Sequence, residues 1–291
     1  MFGVIQIIVI YTFIMGSLYL LISLGFSVVC GVLRIFHLGY GLIFVVAVYA
    51  TWMFMKELGL GLIPAIAGMF VIQCLFTLGV IYFPIVRKYS EREEILLTAL
   101  LLVAMLVEEA ANYKYPVLAG VYIPTTIIPG ALKIGATTIS HQMLIAAGIA
   151  ILVTVLFVIY LLKSRWGMVM RAMSQDINAA QLMGADVGKT YAFAMILSII
   201  PPTLAILVMA PFWSTDPKMG WPLLEIAILV SVLGGLGNIK GTLLASYIVG
   251  FIVAIVGNLI DPRLTTLAML LVVVIALIFK PEGIARSESL W

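Results

Sequence analysis

Charge is the scarcest feature of this chain. Of its 291 residues, 10% are charged and 64% are hydrophobic. Soluble domains carry about 25% charged residues. No water-soluble core could hide this much apolar surface, so the bilayer must be the solvent. The net charge of +3 is too weak to suggest a nucleic-acid surface. Cysteine is nearly absent. Cys30 and Cys74 lie in apolar runs, without the spacing of a metal site or a disulfide framework. The two histidines, His37 and His141, are far apart and form no ligand set, so no metal is expected. No Asp pair, His-Glu-x-x-His helix or Ser–His arrangement marks an intramembrane enzyme. A basic leader is also missing: residues 1–9 run straight into a long apolar stretch and do not read as a cleavable signal.

What is present is a series of long apolar runs. A spanning helix needs about 20 mostly apolar residues. Spans are predicted at 4–29, 35–55, 62–82, 95–111, 143–162, 191–210, 223–237, 242–260 and 264–279. The first is long enough to be two pieces broken near Gly16-Ser17. The seventh is short, as a half-helix would be. The fold class is therefore an all-α polytopic membrane domain of eight or nine spans over residues 1–291. Barrels need short alternating strands, which are absent. Lipid offers backbone groups no partners, so each run must satisfy its own as a helix.

The nine-span reading puts 11 of the 16 Lys and Arg residues on one side and 5 on the other. The rich side should be cytoplasmic. The C-terminus then lies inside, the N-terminus outside, and the protein belongs in the cell membrane. A loop over about 112–142, rich in Pro and Gly, falls outside. A polar loop over about 163–190 falls inside.

That inner loop holds a polar island, residues 171–184. Ser174 suits a helix start, and Asp176 favours the positive end of a helix. Gly184 suits a left-handed stop. Ala179 and Ala180 leave a shallow side for close approach. An amphipathic connector lying on the headgroups would show the same composition.

The order of several motifs resembles the branched-chain amino acid permease family of ATP-binding cassette importers. The residues that carry the resemblance are Ser164-Arg165-Trp166-Gly167, Arg171-Ala172, Asp176, Ala179, Leu182 and Gly184, which precede a membrane helix. The run from Gly234 to Gly241 and the late Pro281-Glu282-Gly283-Ile284 are similar to that family's later motifs. The resemblance implies one permease half of an importer. It implies two cytosolic ATPase subunits docked around Arg171, Asp176, Asn178, Ala179, Ala180, Leu182 and Gly184. It also implies a second permease, identical or homologous, and an external solute-binding protein. ATP would sit on the partner subunits, with no cofactor on this chain. The family usually shows Asn-Phe-Ala-His-Gly-Glu near the start of its second span. This chain has His37-Leu38-Gly39-Tyr40-Gly41-Leu42 there, keeping only Gly41. If that segment lines the pathway, the substrate could depart from Leu, Ile and Val toward a related small polar solute such as an amide.

Gly234, Gly235, Gly237 and Gly241 invite a phosphate-loop reading. It fails, because they follow an apolar helix and lack the Lys-Ser/Thr ending. A tight packing or coupling turn between two spans fits better. His37, Tyr40 and Glu225 are the candidate pathway residues. Glu108 and Glu109, near Asn112 and Lys114, read as interfacial, with an external mouth as the alternative. Glu225 and Glu108 would also be the groups to inspect in an ion-coupled secondary transporter or channel acting without ATPases. Ser17, Ser23, Ser27, Thr203 and Ser231 read as helix–helix glue.

Overall fold

The computed structural model describes residues 2–115, 123, 128–134, 137–213 and 215–285. Nearly all of them are helical. The first helix, α1 (Phe2–Val32), runs unbroken for 31 residues, so the expected break at Gly16-Ser17 does not occur. Gly16 marks a crossing instead. A Cβ there would lie 2.6 Å from the Tyr247 ring, and one on Gly250 would lie 2.6 Å from the Gly16 nitrogen. Tyr247 and Gly250 belong to α11 (Ile239–Leu259). Along the same seam Ser17 Oγ meets Tyr247 Oη at 3.0 Å and Ser27 Oγ meets Thr242 Oγ1 at 2.8 Å. Glycine lets the backbones approach, and the hydroxyls bond across the gap where lipid offers no partner.

The second span is not helical from its start. Residues 34–37 are non-helical, and only then come a tight turn at Leu38–Tyr40 and helix α2 (Gly41–Lys56). The chain doubles back along the end of α1. Phe36 packs edge-on against Phe26, and Tyr40 donates its hydroxyl to the Ile22 carbonyl at 2.8 Å. Helix α2 therefore begins inside the bundle. Helix α10 (Gly220–Gly234) does likewise, entered through one tight turn at Pro217–Met219 that Asp216 caps. The two starts meet: a Cβ on Gly41 or on Gly220 would lie 2.7 Å from the other's carbonyl oxygen. The seventh predicted span thus begins and ends earlier than expected. Its glycines after 234 form a turn.

Helix α3 (Leu62–Phe76) continues through wider π-type turns at Thr77–Val86 into α4 (Arg87–Tyr89). Pro84 lies inside those turns and cannot donate to the regular ladder. Gln73, fully buried, ties three spans together. Its amide donates to the Ile43 carbonyl at 3.0 Å and its carbonyl accepts from Thr203 at 2.9 Å. Buried side-chain bonds between membrane helices are worth about 0.6–2 kcal/mol. Gln73→Leu should therefore lower the thermal unfolding midpoint in detergent measurably while leaving insertion intact.

Helix α5 (Glu93–Lys114) is longer at both ends than the expected span. Eight other helical segments among the described residues are long and apolar enough to cross a membrane. α5 crosses as well. It starts just after Tyr89, where the α3–α4 segment ends. It finishes where that segment began, with Lys114 Nζ 2.9 Å from Glu57 just before α3. At about 1.5 Å per residue, 22 residues cover about 33 Å. After α5 come a hairpin pairing Ala131–Ile134 with Thr137–Ser140, then α6 (His141–Lys163). The loop expected over 112–142 lies partly outside the described residues, as does the tail after 285.

Two interior prolines shape α9 (Val187–Met209). Pro202 cannot donate to the Ser198 carbonyl. Gly25 of α1 packs onto that oxygen, where a Cβ would come within 2.0 Å. The last helix, α12 (Thr265–Phe279), has few buried residues.

Candidate coupling surface and transport core

The polar island folds as two helices rather than one: α7 (Arg165–Gln175) and α8 (Ile177–Leu182). The chain leaves helical geometry at Asp176, which is extended (φ −150°, ψ 111°). Asp176 is therefore the cap of α8, its Oδ1 accepting the Ala179 N–H at 3.0 Å. Ser174 is not a cap, contrary to expectation. It lies within the last turn of α7 and donates back to the Arg171 carbonyl at 2.7 Å. The residue that starts α7 is Ser164, whose Oγ accepts from Gly167 N at 2.9 Å. Loss of an Asx cap costs about 1 kcal/mol. Asp176→Ala should raise backbone amide exchange in α8, and Asp176→Asn should not.

The motif around Ser164 now has physical reasons. Gly167 lies so close to α6 that a Cβ would come within 2.0 Å of the Leu161 carbonyl oxygen. Trp166 stacks on Phe193 of α9, ring centres 4.7 Å apart. Arg171 donates to the Leu162 carbonyl at 3.0 Å. Gly184 takes φ +91° and ends α8. Asp186 then caps α9. The Lys189 N–H, together with its ammonium, holds the Asp186 carboxyl below the usual range.

This folded loop presents an apolar hollow of about 400 Å³. Met168, Ala172, Ala179, Ala180 and Met183 line it, as do Asp176 and Gly184. Leu182 and Met183 are 90% and 89% exposed. Asn178 and Ala179 are exposed, whereas Ala180 is buried against its neighbours. A capped, glycine-stopped turn thus holds two large apolar side chains exposed.

The glycine-rich turn lies on the same face of the bundle. A Cβ on Gly241 would lie 1.8 Å from the Gly234 carbonyl oxygen. Gly235 and Gly237 have φ +98° and +80°, and Asn238 caps α11. The C-terminal segment closes over this turn: Ile284 N–H donates to the Leu233 carbonyl at 2.8 Å and Ala285 N–H to Gly234 at 3.2 Å. Two motifs some forty residues apart are therefore one packed unit, a contact that no spacing in the sequence announces.

Of the expected pathway residues, two are enclosed side by side. His37 and Tyr40 are 1% and 0% exposed, and Tyr40 packs between Phe26 and Phe44. Glu225 is half-buried, five residues beyond Gly220. Glu108 accepts a bond from the Trp221 indole and borders a small cleft at Gly41, Gly220 and Trp221. Sequence reasoning missed Arg34. It is the one non-glycine residue with positive φ (+55°) among those described. Its guanidinium donates to the Ser174 and Gln175 carbonyls at 2.8 and 3.2 Å. An arginine pointing into a polar loop gives no pattern to read.

Eight apolar segments long enough to cross a membrane, with α5 running back along one of them, define a multi-pass membrane protein. The chain matches the family model described as the permease component of branched-chain amino acid transport systems over residues 8–278, and it belongs to that family. It is similar to the high-affinity branched-chain amino acid transport permease BraD of Pseudomonas aeruginosa, with 21% identity covering 92% of each chain. It is also similar to LivH of Escherichia coli, with 23% identity over 93% of this chain and 92% of the relative. Among solved structures, PsaBC from Streptococcus pneumoniae in complex with a Fab aligns with 95% of this chain and 93% of its own, at 17% identity and a TM-score of 0.43.

Proposed function

We propose that this protein is one permease half of an ATP-driven importer for branched-chain amino acids or a related small amphipathic solute. The α7–α8 hollow is the observation that carries the reading. It is apolar, exposed and lies in the loop between two membrane helices, α6 and α9. Cytosolic ATPases would seat there, with ATP bound on them and no cofactor on this chain. The face bearing α7 and α8 would be cytoplasmic, as the Lys and Arg asymmetry favours, and would carry the C-terminus. A second permease would complete the pathway, and an external binding protein would deliver the solute to the opposite face.

Motion of α8 has a physical route inward. Asp176 joins it to α7, Trp166 ties α7 to α9, and Arg34 ties α7 to the segment that leads into α2. Rocking α7 would therefore move the buried starts of α2 and α10 against each other at Gly41 and Gly220. The chain would make and break no covalent bond.

Reconstitution tests this reading. With ATPases, a partner permease and a binding protein, proteoliposomes should take up leucine only when ATP is hydrolysed. Uptake by this chain alone, driven by an ion gradient, would overturn it in favour of secondary transport.

A further inference from the structure

An open groove of about 450 Å³ runs between α6 and α9. Leu156, Phe157 and Tyr160 of α6 and Phe193, Leu197 and Leu204 of α9 line it, and its walls are almost wholly apolar. Phe157 and Leu197 are buried, whereas Leu156 and Tyr160 are exposed. From Phe193 to Leu204 the groove follows α9 for about 16 Å. The end nearest α7 is different in character. Trp166 stacks on Phe193 there, ring centres 4.7 Å apart. Lys163 follows Tyr160 by three residues and Lys189 precedes Phe193 by four, spacings that put each cation on the same helix face as its ring. Arg165 starts α7 beside them. All three cations are exposed. Lys189 lies 3.2 Å from the Asp186 carboxylate, but Lys163 and Arg165 have no ion-pair partner among the described residues.

We propose that this groove seats an anionic phospholipid of the leaflet on the α7–α8 side, with one acyl chain between α6 and α9 and its phosphate beside Lys163 and Arg165. The proposal does not depend on what the protein carries. Apolar walls alone select no lipid, because every tail in a bilayer is apolar. The headgroup selects. Basic groups at the mouth of a cleft between membrane helices favour an anionic one. Tyr160 and Trp166 suit the headgroup level, where amphipathic rings concentrate. A helix of a second permease is a poorer occupant. Close helix pairs meet through Gly, Ala, Ser and Thr, and large side chains line this groove. Such a helix would also leave Lys163 and Arg165 without an anion. Through the Trp166–Phe193 stack, the bound lipid would brace α7 against α9 at the base of the loop.

Native mass spectrometry of the full chain, released from detergent containing equimolar phosphatidylglycerol and phosphatidylcholine, tests this. The chain should retain phosphatidylglycerol over phosphatidylcholine by about tenfold or more. Lys163→Gln combined with Arg165→Gln should remove most of that preference, and Lys163→Arg combined with Arg165→Lys should keep it. Leu156→Trp, at an exposed position, should fill the groove and lose the retained lipid with both cations in place. Lys240→Gln removes an exposed cation at the start of α11, on the same face of the bundle, and should change nothing. Thermal midpoints and size-exclusion profiles that match the unmodified chain separate these effects from misfolding. Equal retention of the two lipids overturns the proposal. So does a preference that survives both the double charge removal and Leu156→Trp, or one that Lys240→Gln reduces as much. Efficient disulfide formation between two Leu156→Cys copies in the membrane, with Cys30 and Cys74 replaced by Ala, would put a second permease on the groove and overturns it as well.

Discussion

Replacing Leu182 and Met183 together with Asp should leave the protein inserted and folded but reduce co-purifying ATPase about thirtyfold or more. Both side chains are almost fully exposed, so their loss removes little internal packing. Central apolar anchors of an interface cost about 2 kcal/mol or more when removed, and that is about thirtyfold in affinity. A carboxylate adds desolvation to the loss, because the hollow beside Met183 is lined by Met168, Ala172, Ala179 and Ala180. The effect should separate from folding. Size-exclusion profile and thermal midpoint should match the unmodified protein, while ATP-driven uptake disappears. Full association of the double variant with its ATPases would sink the coupling role of α8. Asp176→Ala makes a milder companion, since it loosens the same helix without altering its apolar face.

The sequence made the membrane helices legible because apolar length is a one-dimensional signal. It also exposed the polar island, whose composition stands out against its surroundings. Ends were harder. Ser174 and Asp176 both suit a helix start, and composition cannot choose between them. Backbone geometry chooses, because only Asp176 is extended. The second span looked helical from residue 35, since Ile35 and Phe36 are as apolar as any helix needs. What holds them non-helical is packing on α1, through Phe26 and the Ile22 carbonyl. Such long-range contacts leave no local mark.

The same limit applies to the candidate sites. His37 and Tyr40 drew notice as polar groups in an apolar run, yet each is enclosed by other side chains. Arg34 drew none, although it ties the α7 end to the segment leading into the second span and borders a cavity beside α1 and α5. Glycine patterns were legible as close approaches, but their partners were not. Gly16 read as a break and is a crossing. Gly41 and Gly220, far apart in the chain, form the contact between α2 and α10.

Gly241→Ala should be the most damaging single methyl among the described glycines. Its Cβ would lie 1.8 Å from the Gly234 carbonyl oxygen and 2.7 Å from the carbonyl carbon. No flexible side chain stands there to give way, so α10 and α11 must separate. The tail cannot relax around them, because Ala285 already lies 3.0 Å from the same Cβ position and donates its N–H to Gly234. Forced backbone displacement in a packed interior costs about 3 kcal/mol or more. Accumulation in the membrane should fall sharply, and the thermal midpoint of what remains should drop by many degrees. Two other glycines calibrate the result. Gly184→Ala meets open space but keeps φ +91°, so only the left-handed penalty of about 1 kcal/mol applies. Gly148→Ala, in α6 with nothing within 4 Å, should be neutral or slightly stabilising, because alanine favours a helix. Thermal midpoints that follow this order tie the glycine-rich turn to backbone contact. Equal midpoints for Gly241→Ala and Gly148→Ala would show that the turn has room the structure denies it, and would remove the turn from any role in holding α10 against α11.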